Sequence, residues 1–229
     1  MTVKLYLQDP YMKKFDANVV RRGDGFVVLD KTAFYPKSGG QDYDTGVLNS
    51  VRVLRVERDG DDVLHYTDGM IGSDSVSGEI NWNRRYSLMK MHTAQHMVSG
   101  IIAKRFKIKT NSVSIEESES AIKIAPLPVD TGVKVDITED FRELVMKRIP
   151  LRFYELGRQE ALKNLDPMRT SGIQKLPEVI KKLRVVEIPG IDKCACAGTH
   201  VKNTFELGQL EITRSEEKDN ETTIYFRLI

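Results

Sequence analysis

The chain has 229 residues, of which 40% are hydrophobic and 30% charged, a composition suited to one large or two modest globular domains. Its formal net charge of +2 excludes an overall basic footprint, so any nucleic-acid surface must be a local patch. Two cysteines one residue apart exclude a disulfide framework, and no apolar run nears membrane-spanning length, so a soluble cytoplasmic protein is expected.

Val3 to Leu7 alternates and reads as a strand, and Gly25 to Leu29 as another. In Thr32-Ala33-Phe34-Tyr35-Pro36-Lys37-Ser38-Gly39-Gly40-Gln41 the paired glycines permit positive φ, so a tight turn is expected there. Val47 to Val56 reads as extended, Asp59-Gly60-Asp61-Asp62 as a hairpin turn and Val63 to Tyr66 as its return strand. His65 lies in that return strand without a partner motif and is expected to be structural or at the surface. The segment to about residue 75 is thus all-β and compatible with a small barrel. Arg84 to Phe106 has no proline and a single glycine, Gly100, and its Leu88, Met91, Met97, Val98, Ile101 and Ile102 form the apolar face of a long helix.

Ser112 to Ala125 reads as a hairpin, and Asp136 to about Lys147 as a helix opened by the capping-box spacing to Glu139. Leu151 to Glu155 is a strand, Arg158 to Leu165 a short helix, and Asp166-Pro167 to Gly172 a loop carrying Arg169. Leu176 to Leu183 is expected as a further short helix whose basic face comes from Lys175, Lys181, Lys182 and Arg184. That face is either simply solvated or a contact for nucleic-acid phosphate. Arg184 to Ile188 is a strand, and Phe205 to Thr213 with Thr222 to Leu228 a closing hairpin. Residues 1–80 and 81–229 are expected to form two domains.

Two stretches concentrate metal-ligand residue types. His92-Thr93-Ala94-Gln95-His96 places two histidines on one helical face, and Cys196-Ala197-Gly198-Thr199-His200 adds a thiol and a third imidazole. Of the four His and two Cys, three His and Cys196 lie in these stretches, Cys194 stands two residues before the second, and only His65 is distant from both. Zinc favours tetrahedral nitrogen and sulfur donors, and His92, His96, Cys196 and His200 are an acceptable set. Taken singly, each motif is weak: paired helical histidines more often belong to a core or a surface. Four protein donors also describe a structural site, so catalysis would need a loosened donor or a fifth position. Asp192 is either a turn carboxylate or a group that orients one of the histidines. Neither motif contains a carboxylate, so no general base is assigned.

HTAQHMVSG, followed by RVVEIPGIDKCACAGTHVKNTFELG, resembles the editing domain of alanyl-tRNA synthetases and of their free-standing relatives, the AlaX proteins. FYPKSGGQDYDTG resembles the glycine-rich motif that precedes that domain. The family's usual CGGTH stands here as CAGTH, and Cys194 is additional. The resemblance implies an α+β fold: an N-terminal β-barrel-like domain, then an editing domain with an antiparallel sheet flanked by helices. It implies one zinc per chain on His92, His96, Cys196 and His200, with Cys196 rather than Cys194 as the thiolate donor. It further implies a trans-acting hydrolase that deacylates mischarged tRNA(Ala), Ser-tRNA(Ala) first and Gly-tRNA(Ala) second, and spares Ala-tRNA(Ala). Thr32, Gly39, Gly40 and Gln41 would bear on substrate choice, and the tRNA would be met through its acceptor stem. Two rivals stay open: an RNA-binding module with a structural zinc, and a zinc hydrolase of small esters. The serine–glycine balance, the role of zinc and the oligomeric state are open at this point.

Overall fold

Short strands with buried and exposed residues in alternation build the N-terminal part of the chain. The computed structural model describes residues 1–174 and 176–229. The chain divides into one unit of residues 1–89 with 198–200 and another of 90–197 with 201–229. The fold is α+β.

The first unit contains β1 (Val3–Lys4), α1 (Leu5–Gln8), β2 (Lys14–Gly23), β3 (Phe26–Leu29), β4 (Lys31–Thr32), β5 (Gly46–Leu48), β6 (Val51–Asp59), β7 (Asp62–Thr67) and β8 (Ser75–Ile80). β1 and β4 pair in parallel, and the other six strands close a barrel in the order β2-β3-β7-β6-β5-β8. β8 shows the rule: Val76, Gly78 and Ile80 are buried while Ser75, Ser77 and Glu79 face solvent. Phe15, Phe34, Leu48 and Val53 fill the interior with Val76 and Ile80. The expected strand over Val3–Leu7 is corrected, because only Val3 and Lys4 pair before the chain enters α1. Its apolar spacing serves instead to bury Tyr6 edge-on against Tyr35. His65 is fully buried, so its surface alternative is also corrected.

A buried ion pair braces this unit. Arg85 donates to both carboxylate oxygens of Asp44 and to the carbonyls of Pro10 and Ala33, and Asp44 also accepts from the Tyr35 amide at 2.6 Å. Both side chains are fully buried, so each charge needs every one of these partners.

α2 (Trp82–Phe106) begins in the first unit and continues through the second. It is buried on all sides from residue 91 to 102, rather than on one face only. Its polar groups are matched: Gln95 donates to Ser99 at 2.8 Å, and Thr93 accepts from the Val201 amide at 3.2 Å. The second unit continues with β9 (Thr110–Ser114), β10 (Ser120–Ile124), α3 (Thr131–Met146), β11 (Arg152–Gly157), α4 (Arg158–Asn164), α5 (Pro167–Gln174), β12 (Lys182–Ile188), β13 (Asp192–Ala195), β14 (Leu210–Lys218) and β15 (Glu221–Leu228). β14-β15-β10-β9 form one antiparallel sheet and β11-β12-β13 another. α4 and α5 cover the three-stranded sheet through Ala161, Leu165 and Ile173 against Leu183 and Val185.

Three expectations in this unit are corrected. α3 starts at Thr131, five residues before the expected Asp136, because Asp130 caps it by accepting from the Val133 amide at 2.9 Å. The Asp166-Pro167 to Gly172 segment is helical rather than a loop: Asp166 accepts from the Met168 amide at 2.8 Å and Pro167 fills the first helical position. No helix spans Leu176–Leu183 among the described residues. There the Arg158 guanidinium gathers the carbonyls of Ile173, Leu176 and Pro177, and Lys182 and Arg184 lie on β12. The basic helical face therefore does not exist as such, and Lys175 lies outside the described residues. Among the described residues no helix is long and apolar enough to cross a membrane.

Candidate metal centre

His92 and His96 project from the buried middle of α2, their ring centroids 5.1 Å apart. The loop after β13 carries Cys196, whose sulfur lies 3.6 Å from His92 Nε2. Four residues on, His200 is fully buried, and one ligand atom from each of His92, His96, Cys196 and His200 lies within 4.8 Å of all the others. The loop is held by its neighbours. Arg184 donates to the Cys196 carbonyl at 2.9 Å, and the Cys196 amide donates to the Arg184 carbonyl at 3.0 Å.

The donor set passes a simple test of fit for zinc, being three imidazoles and one thiol in a buried group. His96 is also turned correctly. Its Nδ1 meets Asp192 Oδ2 at 2.7 Å, which leaves Nε2 as the nitrogen available to an ion. Close backbone approach makes this contact possible. Gly100 is one helical turn beyond His96, and a Cβ there would stand 2.6 Å from the Ile191 carbonyl oxygen. A glycine at 100 therefore lets the turn before β13 seat Asp192 beside the helix.

Sequence reasoning left Arg169 unassigned and Cys194 without a role. Asp192 and Cys194 share a face of β13 by alternation, and Arg169 reaches that face from α5. Arg169 Nη2 donates to Asp192 Oδ2 at 2.7 Å and lies 3.7 Å from Cys194 Sγ, which is 3.5 Å from His96 Nδ1. His96, Asp192 and Cys194 form a second close group of donor types, but the guanidinium against Asp192 opposes a second cation there. The Asp-Pro helix start at 166–167 was the available signal, since it places Arg169 on a helix rather than a mobile loop.

Electrostatics follow from this packing. Burial works to raise the Asp192 pKa, but Arg169 and His96 outweigh it and hold the carboxyl below its ordinary range. Burial works to lower His96, but Cys194 and Asp192 hold it well above the usual histidine value. His92, without a carboxylate, is lowered by burial despite the opposing pull of Cys196.

The glycine-rich segment divides into parts with different surroundings. Gly39 (φ 58°) and Gly40 (φ 84°) form an exposed turn, closed by backbone bonds of 3.1 and 2.9 Å between Ser38 and Gln41. Gln41 points inward: its Nε2 donates to Thr199 Oγ1 at 2.9 Å and its Oε1 accepts from the Thr199 amide at 3.0 Å. Thr199 immediately precedes His200, so the glycine-rich motif and the CAGTH loop are joined by one side chain. Thr32 is fully buried, with Oγ1 2.8 Å from His65 Nε2 and accepting from the Phe34 amide at 3.1 Å. The His65 Nδ1 faces the Val27 carbonyl at 3.2 Å, which can only accept, so Nδ1 carries the proton and Thr32 donates to Nε2. Burial pushes His65 down to about 4, in keeping with this neutral ring. One lone pair of the Thr32 hydroxyl remains beyond those two bonds.

The family model described as "tRNA synthetases class II (A)" matches residues 4–84, and the one described as "Threonyl and Alanyl tRNA synthetase second additional domain" matches residues 183–225. The alanyl-tRNA editing protein AlaX-M of Saccharolobus solfataricus is 37% identical over 229 residues, covering 95% of this chain and 94% of the relative. The chain belongs to the AlaX-M family. The AlaX-M protein of Methanosarcina barkeri is 35% identical, with both chains covered in full. An alanine–tRNA ligase from Ignicoccus hospitalis is 36% identical over 92% of this chain, which spans 24% of that ligase. AlaX-M relatives thus match the whole chain, barrel included, whereas the ligase carries the matching region as one part of a larger protein.

Proposed function

We propose that this chain is a cytoplasmic trans-editing hydrolase that deacylates mischarged tRNA(Ala), chiefly Ser-tRNA(Ala) with Gly-tRNA(Ala) second, and spares Ala-tRNA(Ala). The observation that carries this reading is the buried group of three imidazoles and one thiol in a chain related end to end to AlaX-M proteins. His92, His96, Cys196 and His200 would hold zinc, which supplies Lewis-acid polarisation of an ester carbonyl when bound. The protein's own part is positioning. Asp192 fixes the His96 ring, Gln41 fixes the loop that carries His200, and the burial of α2 shields His92 and His96 from bulk water, while Cys196 is half-buried. No general base is assigned: Asp192, the carboxylate on His96, is engaged with His96 and Arg169.

Substrate choice is assigned to Thr32, Gly39, Gly40 and Gln41. A site that pairs with the serine hydroxyl rejects alanine, because alanine leaves a buried polar group unmatched. Thr32 is fully buried and oriented by His65 and Phe34, so its spare lone pair would accept such a hydroxyl once the segment around it opens to the substrate. The acceptor stem of tRNA(Ala) is the proposed macromolecular contact.

The test is deacylation of Ser-, Gly- and Ala-tRNA(Ala) by wild type, Cys196→Ala and Thr32→Val, with zinc content measured alongside. Rapid loss of serine that vanishes with Cys196→Ala supports the proposal, and Thr32→Val should narrow the serine-over-alanine ratio. Tight tRNA binding with all three esters intact would replace it with an RNA-binding module stapled by metal.

A further inference from the structure

We propose that Arg169 is a positioning residue of the metal centre, acting through Asp192 on His96. This inference rests on the reading that His92, His96, Cys196 and His200 hold zinc. A single carboxylate oxygen, Asp192 Oδ2, meets both His96 Nδ1 and Arg169 Nη2, each at 2.7 Å. A second acceptor competes for the same imidazole nitrogen, because Cys194 Sγ lies 3.5 Å from His96 Nδ1. The guanidinium also lies 3.7 Å from that sulfur. Arg169 therefore stands where it decides which acceptor holds the ring, and it draws the carboxylate oxygen onto Nδ1.

Asp192 has somewhere else to go. It lines, with Arg169, Met168 and Lys193, a cavity of about 320 Å³. A carboxylate released by the guanidinium has room to turn into that cavity, leaving His96 to the weaker sulfur contact and free to rotate. Ring orientation set by such an outer partner governs how well a histidine serves a metal.

One further observation separates this role from simple anchoring of α5. Arg169 Nε is the one buried side-chain polar atom among the described residues that lacks a hydrogen-bond partner. An arginine that only pinned the helix to β13 could settle with Nε on a carbonyl. Here the guanidinium is committed to Asp192 and Cys194 with that donor left unmatched, so its orientation answers to the acceptors around His96.

The experiment uses the full-length protein and six variants: Arg169→Met, Arg169→Gln, Arg169→Lys, Asp192→Asn, the double variant Arg169→Met/Asp192→Asn, and Cys196→Ala. Zinc affinity is measured by competition with a chromophoric chelator, and the visible spectrum of the cobalt-substituted protein reports the donor geometry. Melting of the metal-free forms controls for folding. Arg169→Met is expected to weaken zinc binding about 10- to 100-fold and to shift the cobalt bands. In an Asp192→Asn background it should weaken binding no further, since both changes break one chain of contacts. Arg169→Lys should recover part of the loss. If Arg169→Met lowers only the metal-free melting temperature, with zinc affinity and cobalt spectrum as in wild type, Arg169 is merely an anchor and the proposal fails. Should Arg169→Met not fold, Arg169→Gln answers the same question with the same criteria. If wild type takes up no more zinc than Cys196→Ala, the zinc reading itself falls and this inference falls with it.

Discussion

Gln41→Met isolates the connection between the glycine-rich motif and the loop that carries His200. Methionine nearly conserves the side-chain volume, so the substitution removes hydrogen bonds without opening a large cavity. Two bonds are lost, at 2.9 and 3.0 Å, and both Gln41 and Thr199 are fully buried. The Thr199 hydroxyl can rotate to another partner, but its amide N–H is fixed and is left stranded. A stranded buried donor costs about 1–3 kcal/mol and a lost neutral bond about 1 kcal/mol, so the expected destabilisation is about 2–4 kcal/mol. In a chain of this length that corresponds to a fall of roughly 5–15 °C in melting temperature. Because Thr199 adjoins His200, zinc affinity should fall with it, by about 10-fold. Thermal melting with and without zinc, and chelator competition, give both quantities. A melting temperature within about 2 °C of wild type would refute the reasoning, since it would mean the two bonds carry no net stability. Unchanged stability with altered Ser- against Ala-tRNA(Ala) discrimination would assign Gln41 to substrate contact alone.

Arg85→Met strands the Asp44 carboxylate in the first unit and should destabilise it by about 3–5 kcal/mol, with Arg85→Met/Asp44→Leu milder than the single change; urea midpoints would show the order. His65 is lowered from 6.5 to about 4 in the fold, so its contribution is present above pH 6.5 and lost as pH falls from there toward 4. Wild type should therefore lose about 2 kcal/mol more stability than His65→Gln between pH 7 and pH 5 in paired urea titrations. Gly100→Ala places a methyl group 2.6 Å from the Ile191 carbonyl oxygen, which must push the turn and Asp192 away from His96. Weaker zinc binding is the expected result, measured by chelator competition, and wild-type affinity would show that the turn relaxes elsewhere.

Elements whose signals are purely local were legible in the sequence. The uninterrupted run from 84 to 106 is helical, and Asp59-Gly60-Asp61-Asp62 does turn β6 into β7. The four donor-type residues that the fold brings together were legible because histidine and cysteine are scarce here and stand in two short motifs. Misreadings arose where two local signals compete. Asp136 with Glu139 looks like a helix start, yet Asp130 caps first despite Gly132 in the opening turn. Asp-Pro at 166–167 serves equally to open a loop or a helix, and packing of Ile173 onto Leu183 decides for the helix. Partnerships across long separations were beyond reach. Nothing near Arg169 in the chain announces Asp192, and nothing near Gln41 announces Thr199, 158 residues away.

That wide spacing has a consequence for how the protein is made. His92 and His96 leave the ribosome about a hundred residues before Cys196 and His200, so the group cannot assemble until synthesis has passed residue 200. Until then the two imidazoles lack their thiolate, and a nascent or truncated chain ending before residue 196 has at most half of the donor set. If the group holds metal as proposed, metal retention during pulse labelling would report chains extended past residue 200 rather than merely collapsed ones.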